Sequence, residues 1–235
     1  MDDRELMSAD SPPPVSFGAR SAFAMDALKE LPSTKRGLRT RAALVAAARG
    51  VFERDGFINS RLSDITAAAN CSSGTFYTYF ESKEEALVAV LDTVQDDMLN
   101  PGFPHVPESN ETIGAVIEAS NRAYLESYRR NARLMMLLEQ VATLDPLFAE
   151  LRLKRARTFA ERNALKIARL QDAGLADASL DPMTTSWVLS SMISRLAYLG
   201  LVLGEPFDWE ELMTTLTRLW LNALRIPDAE RPSGG

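Results

Sequence analysis

The sequence predicts an all-α protein in two parts, an N-terminal three-helix helix-turn-helix domain followed by a C-terminal helical domain. Three observations carry this. Apolar residues recur at spacings of three and four through almost every segment, the period of a helix with one buried face. Proline, glycine and asparagine break the chain at helix-length intervals, at Gly56, Asn70, Pro101, Asn131, Asp145-Pro146, Gly174, Asp181-Pro182 and Gly204-Glu205-Pro206. Runs of alternating, β-branched residues that would read as strands are nearly absent.

Residues 1–33 contain the Pro12-Pro13-Pro14 run and no sustained apolar period, and read as a disordered arm. From Lys35 to Asp55 the residues Leu44, Val45, Ala48, Val51 and Phe52 mark one helix face, and Gly56 stops it. A short helix over 63–69 places Ile65 and Ala69 on one side, Asn70-Cys71-Ser72 interrupts, and a second short helix runs from about Ser73 to Tyr79. Ser82-Lys83-Glu84-Glu85 then has the form of a capping box, with Ser82 accepting from the Glu85 N–H and the Glu85 carboxylate reaching back. The helix it opens carries Leu87, Val90, Leu91 and Val94 before Pro101. After a proline-rich stretch at 100–110 the pattern gives helices at about 111–130, 132–144, 146–172, 183–203 and 208–225. The division expected is an arm at 1–33, a helix-turn-helix domain at 34–82, a connecting helix at 83–100, a ligand-binding and dimerisation domain at 101–228 and a flexible tail at 229–235.

Composition narrows the function. With 46% apolar and 25% charged residues the 235-residue chain can bury a sizeable core. The single cysteine, Cys71, forms no internal disulfide, which fits a reducing, cytoplasmic setting. The opening Met-Asp-Asp-Arg-Glu is not that of a secretory signal, and no apolar run is long enough to span a membrane. The lone histidine, His105, and the absence of paired Cys/His spacings, a nucleophile elbow or a phosphate loop argue against an enzyme, a metal site or a cofactor. Net charge is −6, but residues 33–80 hold seven basic and three acidic groups, whereas residues 81–235 hold sixteen basic and twenty-three acidic ones. One part of the chain is suited to meeting phosphate.

A helix-turn-helix needs two short helices, a tight turn and a second helix free to enter the major groove. Ala67, Ala68 and Ala69 allow close approach, Asn70 tolerates the left-handed backbone of the turn, and Cys71 is small enough to plug the gap. Phe76 and Phe80 anchor the second helix and leave Ser73, Thr75, Tyr77, Thr78 and Tyr79 to face outward. That helix lacks Arg, Asn and Gln, so hydroxyls, methyls and DNA shape must carry readout.

The stretch Gly56-Phe57, Ser63-Asp64-Ile65 and Ser72-Ser73-Gly74-Thr75-Phe76-Tyr77-Thr78-Tyr79-Phe80-Glu81-Ser82-Lys83-Glu84-Glu85-Ala86-Leu87 resembles the N-terminal domain of TetR-family transcriptional regulators over about residues 37–90. Two positions depart from the family's pattern. Asn70-Cys71 replaces glycine-valine in the turn, and Arg61 stands where a threonine would cap, leaving Ser60 or Ser63 as substitutes. The resemblance implies DNA contacts from Ser73, Thr75, Tyr77 and Thr78, and phosphate contacts from Tyr79 and Lys83. Ser63, Arg36 and Arg39 are further candidates.

Such a unit grips an operator well only in duplicate, so a homodimer on a palindromic site is expected. The apolar faces of the last two helices give Leu189, Ile193, Leu196, Gly200, Leu216, Leu219, Trp220 and Ala223 as its interface. Asn121, Tyr124, Tyr128, Met135, Phe159, Trp187 and Ser191 are candidates for a ligand pocket, and Arg122 and Arg195 for an acidic ligand group. The expectation is a repressor released from double-stranded DNA by a small hydrophobic effector, acyl-CoA or lipid-like, with no cofactor or metal and no membrane partner. The alternative is a TetR-like DNA-binding protein without a small-molecule inducer, chromosome-organising or controlled by a partner.

Overall fold

The computed structural model describes residues 28–99 and 112–230. Expectations for residues 1–27 of the arm, for the stretch 100–111 with His105, and for the tail at 231–235 lie outside the described residues. Among the described residues the chain forms nine α-helices and no strand: α1 (Lys35–Asn59), α2 (Leu62–Ala68), α3 (Ser73–Tyr79), α4 (Lys83–Leu99), α5 (Ile113–Arg130), α6 (Ala132–Ala142), α7 (Pro146–Asp172), α8 (Pro182–Leu201) and α9 (Trp209–Leu224), with a 3-10 turn at Asp228–Glu230.

Most helix starts carry a side-chain acceptor for the orphan N–H groups of the first turn. Thr34 accepts from the Gly37 N–H at 3.0 Å, Ser72 from Thr75 at 3.2 Å, and Asp181 from Thr184 at 2.7 Å. Asp145 and Asp181 cap helices whose first residues are Pro146 and Pro182, whose fixed φ and missing N–H suit that place. α2 departs from expectation. Arg61 occupies its cap position without a side-chain bond, and Ser60 does not substitute, because its hydroxyl donates to the Phe57 carbonyl at 2.7 Å. Ser63 lies inside α2 and is exposed.

One apolar core runs without interruption from α1 through α4 into α5–α9, and a smaller cluster of Ile113, Ile167, Leu189, Trp220, Leu221, Leu224 and Ile226 closes the far end. α7 and α8 pack most extensively, α7 also covers α6, and α9 covers α5. Arg122 of α5 fixes the last pair from outside, with Nη1 and Nη2 donating to the two Glu210 oxygens at 2.8 and 2.6 Å and Nε to Glu118 at 3.0 Å. The hydrogen bonds to Glu210 hold the guanidinium protonated and its carboxylate partner below the usual range. Arg122 is therefore a structural link and not a ligand contact.

Two further expectations are corrected. The end of the arm, residues 28–33, lies against the helix-turn-helix: Leu28 packs on the core, and the Lys29 N–H donates to the buried Glu85 carboxylate. Of the supposed interface residues, Leu189, Ile193, Leu216 and Trp220 are buried in the subunit's own core. Gly200 faces Trp209 and Phe207 so closely that a Cβ there would come within 2.6 Å of the indole. Leu196 is half-buried, and only Leu219 and Ala223 are exposed. Period alone marks a buried face without telling which surface covers it.

Phe148, in the first turn of α7, is fully buried and meets Phe57 of α1 edge to face at 6.1 Å between centroids. Phe148→Ala is expected to lower the unfolding free energy by about 3–5 kcal/mol, against no more than about 0.5 kcal/mol for Leu144→Ala at a site 70% exposed. Urea denaturation checks this, and equal losses would contradict the packing described.

Candidate nucleic-acid interface and ligand cavity

The helix-turn-helix is held by three local devices. Asn70 sits at φ +50° in the turn between α2 and α3, the left-handed region that asparagine tolerates. Phe76 and Phe80 are fully buried with ring centroids 5.4 Å apart, which points the opposite face of α3 outward. At the start of α4, Ser82 accepts from the Glu85 N–H at 3.2 Å, while the Glu85 carboxylate reaches one residue beyond the expected box, to the Glu81 N–H, and also takes the Lys29 N–H. Lys29 Nζ donates to the Tyr77 carbonyl at 3.0 Å, so residues 28–33 brace the exit of α3.

The sequence-predicted contacts fall into distinct settings. Ser73, Tyr77 and Thr78 are exposed on α3, Tyr77 by 53%, with its ring set edge-on against Phe76. Thr78 donates its hydroxyl to the Gly74 carbonyl at 3.1 Å, and Thr75 lies half-buried beside the Ser72 cap. Tyr79 is half-buried against the core. Arg36 and Arg39 are exposed on the first turns of α1, whose Arg41 lies over the Phe80 ring at 5.2 Å and so places that end of α1 beside α3. Arg61, exposed at the start of α2, joins them; it was passed over because only its missing cap drew notice.

Lys83 has a role the sequence did not suggest. Its ammonium donates to the Phe57 carbonyl at 2.7 Å and the Ser60 carbonyl at 3.0 Å, and stands 4.4 Å from the centroid of the Phe57 ring. Those carbonyls lie just past Gly56, whose φ of +74° breaks the helical path inside α1.

A second feature lies between α5, α6, α7 and α8. A cavity of about 320 Å³ is lined by Tyr124, Tyr128, Phe159, Trp187 and Ser191 of the expected set, together with Arg152, Arg155, Arg195 and Glu139. Asn121 and Met135 do not line it; Met135 belongs to the core, and Asn121 is buried on α5. The Tyr124 ring lies 5.3 Å from Phe159 and 6.0 Å from Tyr128, whose phenol is pushed up by burial and stays a neutral O–H. Arg152 Nε donates to Glu139 at 2.7 Å. Arg195 is one of the two arginines expected to meet an acidic ligand group, whereas Arg152 and Arg155 were missed because seven basic residues along α7 read as a solvated face; their spacing of three, in step with Phe159, is the signal that places them together. Among the described residues no group of three or more His, Cys, Asp or Glu side chains is placed to hold a metal, and no helix is long and apolar enough to cross a membrane.

Residues 44–90 match the family described as bacterial regulatory proteins, tetR family. The chain is similar to the HTH-type transcriptional regulator EthR of Mycolicibacterium smegmatis, 24% identical over 185 residues, 78% of this chain and 85% of the relative. It is also similar over 56 residues to the HTH-type transcriptional repressor NicS of Pseudomonas putida, at 36% identity, 24% of this chain and 26% of that one. Among solved structures the fold resembles Salmonella enterica GusR, with a TM-score of 0.67 at 21% identity over 82% of this chain and 98% of that one. It likewise resembles the SmeT–triclosan complex, with a TM-score of 0.67 at 20% identity over 84% and 96%. SmeT is the repressor of the Stenotrophomonas maltophilia multidrug efflux pump SmeDEF.

Replacing Glu85 by Gln leaves one acceptor for two backbone N–H groups. Glu85→Gln is expected to cost about 1–3 kcal/mol of stability and to speed limited proteolysis within residues 28–33; unchanged cleavage and stability would contradict the brace.

Proposed function

We infer that this chain, a member of the tetR family of bacterial regulatory proteins and thus a DNA-binding transcription regulator rather than an enzyme, is a repressor released from its operator by a small molecule in the α5–α8 cavity. Residues 34–82 form the DNA-binding unit, 83–100 the connecting helix and 101–228 the effector and dimerisation part, in a cytoplasmic homodimer on a palindromic site. α3 enters the major groove, with Tyr77, Ser73, Thr75 and Thr78 toward the base edges. Arg36, Arg39 and Ser63 serve the backbone, Tyr79 adds its hydroxyl from a half-buried position, and Lys83 offers phosphate only the third N–H left by its two carbonyl bonds.

The observation that carries the effector reading is a continuous line of packing. α7 lines the cavity with Arg152, Arg155, Ala156 and Phe159, and one turn earlier presses Phe148 against Phe57, the ring that Lys83 covers. A ligand that moves α7 therefore moves the base of the helix-turn-helix, and a pair of such units loses its match to a fixed half-site spacing. That a solved structure of SmeT holds triclosan supports a cavity of this kind as a ligand site within a similar fold. About 320 Å³ favours a compact ligand over an acyl-CoA or a long lipid chain. For the dimer, the exposed Val188 and Leu219, with Ala223 and the partly covered Leu196, replace the buried residues as the apolar part of a twofold contact by α8 and α9.

Tyr77→Ala is expected to weaken binding to a selected operator by about 1–3 kcal/mol, and Thr78→Ala by less, since the Thr78 hydroxyl is already turned to the Gly74 carbonyl. Fluorescence anisotropy on operator and scrambled duplexes checks it. Equal losses on both duplexes would make Tyr77 a backbone contact, and no loss would remove it from the interface.

A further inference from the structure

We propose that the cavity takes a small aromatic carboxylate, its flat body lying among Tyr124, Phe159 and Trp187 and its anionic group held by Arg195. The proposal rests on the reading of the α5–α8 cavity as the effector site and adds the chemical class of the effector.

Shape and charge argue for it separately. The walls are rich in rings, with Tyr124 and Phe159 inclined at 42° and Trp187 entering from α8, an arrangement that accepts a planar apolar body edge to face. The half-open cavity of about 320 Å³ admits a compact molecule of one or two rings. Three arginines and one carboxylate line the cavity, and Arg152 already pairs with that carboxylate, Glu139. The lining side chains carry a net positive charge, which repels a cationic ligand and favours an anion. Arg195 is placed to meet an anion. Its guanidinium carbon stands over the Tyr198 ring, 5.3 Å from the centroid, a cation–π contact that helps to order the group. A carboxylate matches a guanidinium fork with two parallel hydrogen bonds. Ser191 and Ser194, on the same side of α8, add hydroxyl donors to the anionic end.

The test uses the full-length protein, naphthoate and its neutral isostere naphthamide, with Trp187 emission and thermal shift as readouts. Naphthoate is expected to bind saturably and about tenfold more tightly than the amide, the scale of one charge-assisted hydrogen bond. Arg195→Gln should bring that ratio near one at unchanged oligomeric state, and Arg195→Lys should restore part of it. The proposal is overturned if the amide binds as well as the acid, if the ratio survives Arg195→Gln, if the ratio is lost only together with the oligomeric state, or if neither compound binds. Operator release is scored separately. Binding of naphthoate through Arg195 without release of DNA leaves the ligand class standing and removes the effector reading, whereas release by neutral aromatics with no preference for the acid does the reverse.

Discussion

The ammonium group of Lys83 joins elements that the sequence keeps apart. At Gly56 the chain leaves the α1 path and exposes carbonyls that no helical N–H can meet, and Lys83, opening α4, donates to those of Phe57 and Ser60. Charge-assisted bonds of this kind are worth about 1.5–3 kcal/mol where they are shielded from water, and the ring of Phe57 beneath the ammonium supplies both shielding and attraction. The end of α1, the start of α2 and the first turn of α4 are thereby held at one point. α3 hangs between them, anchored by Phe76 and Phe80 and braced on its far side by Lys29 and Glu85.

Because Phe57 also touches Phe148, the same point is where the helices that enclose the cavity bear on the helix-turn-helix. Two polar contacts run alongside: Arg49 donates to Asn131 at 3.1 Å and Arg133 to the Glu53 carbonyl at 3.3 Å, so the start of α6 as well as α7 leans on α1. Close-packed aromatic contacts resist small deformations and repack in discrete steps. A cavity two turns along α7 from Phe148 is thus mechanically near α3, and no flexible linker among the described residues stands between them.

Legibility in the sequence followed the range of the interaction. Local chemistry was readable: Asn70 in the left-handed region, Ser82 as a cap, aspartate-proline pairs as the breaks before α7 and α8, and Phe76 and Phe80 as the anchors of α3 all depend on neighbours within four residues. The resemblance over residues 37–90 extended that reading to the outward face of α3. Non-local pairing was not readable. Leu189, Ile193, Leu216 and Trp220 have the period of an interface, but the subunit's own helices cover them. Lys83 reads as a helix-start lysine until Phe57 and Ser60 come to it from more than twenty positions away. Five of the seven expected pocket residues line the cavity, yet Arg152 and Arg155 come from a helix, α7, that reads as solvated, and Glu139 reaches it from α6.

The most direct test is a double-mutant cycle on the junction itself, with Lys83→Met, Phe57→Leu and the double variant compared by chemical denaturation. If the ammonium, the ring and the carbonyls form one unit, the pair is coupled by at least about 1 kcal/mol. Losses that add to within about 0.3–0.5 kcal/mol would mean that Lys83 and Phe57 act independently, and the junction would not be what holds α3 in place.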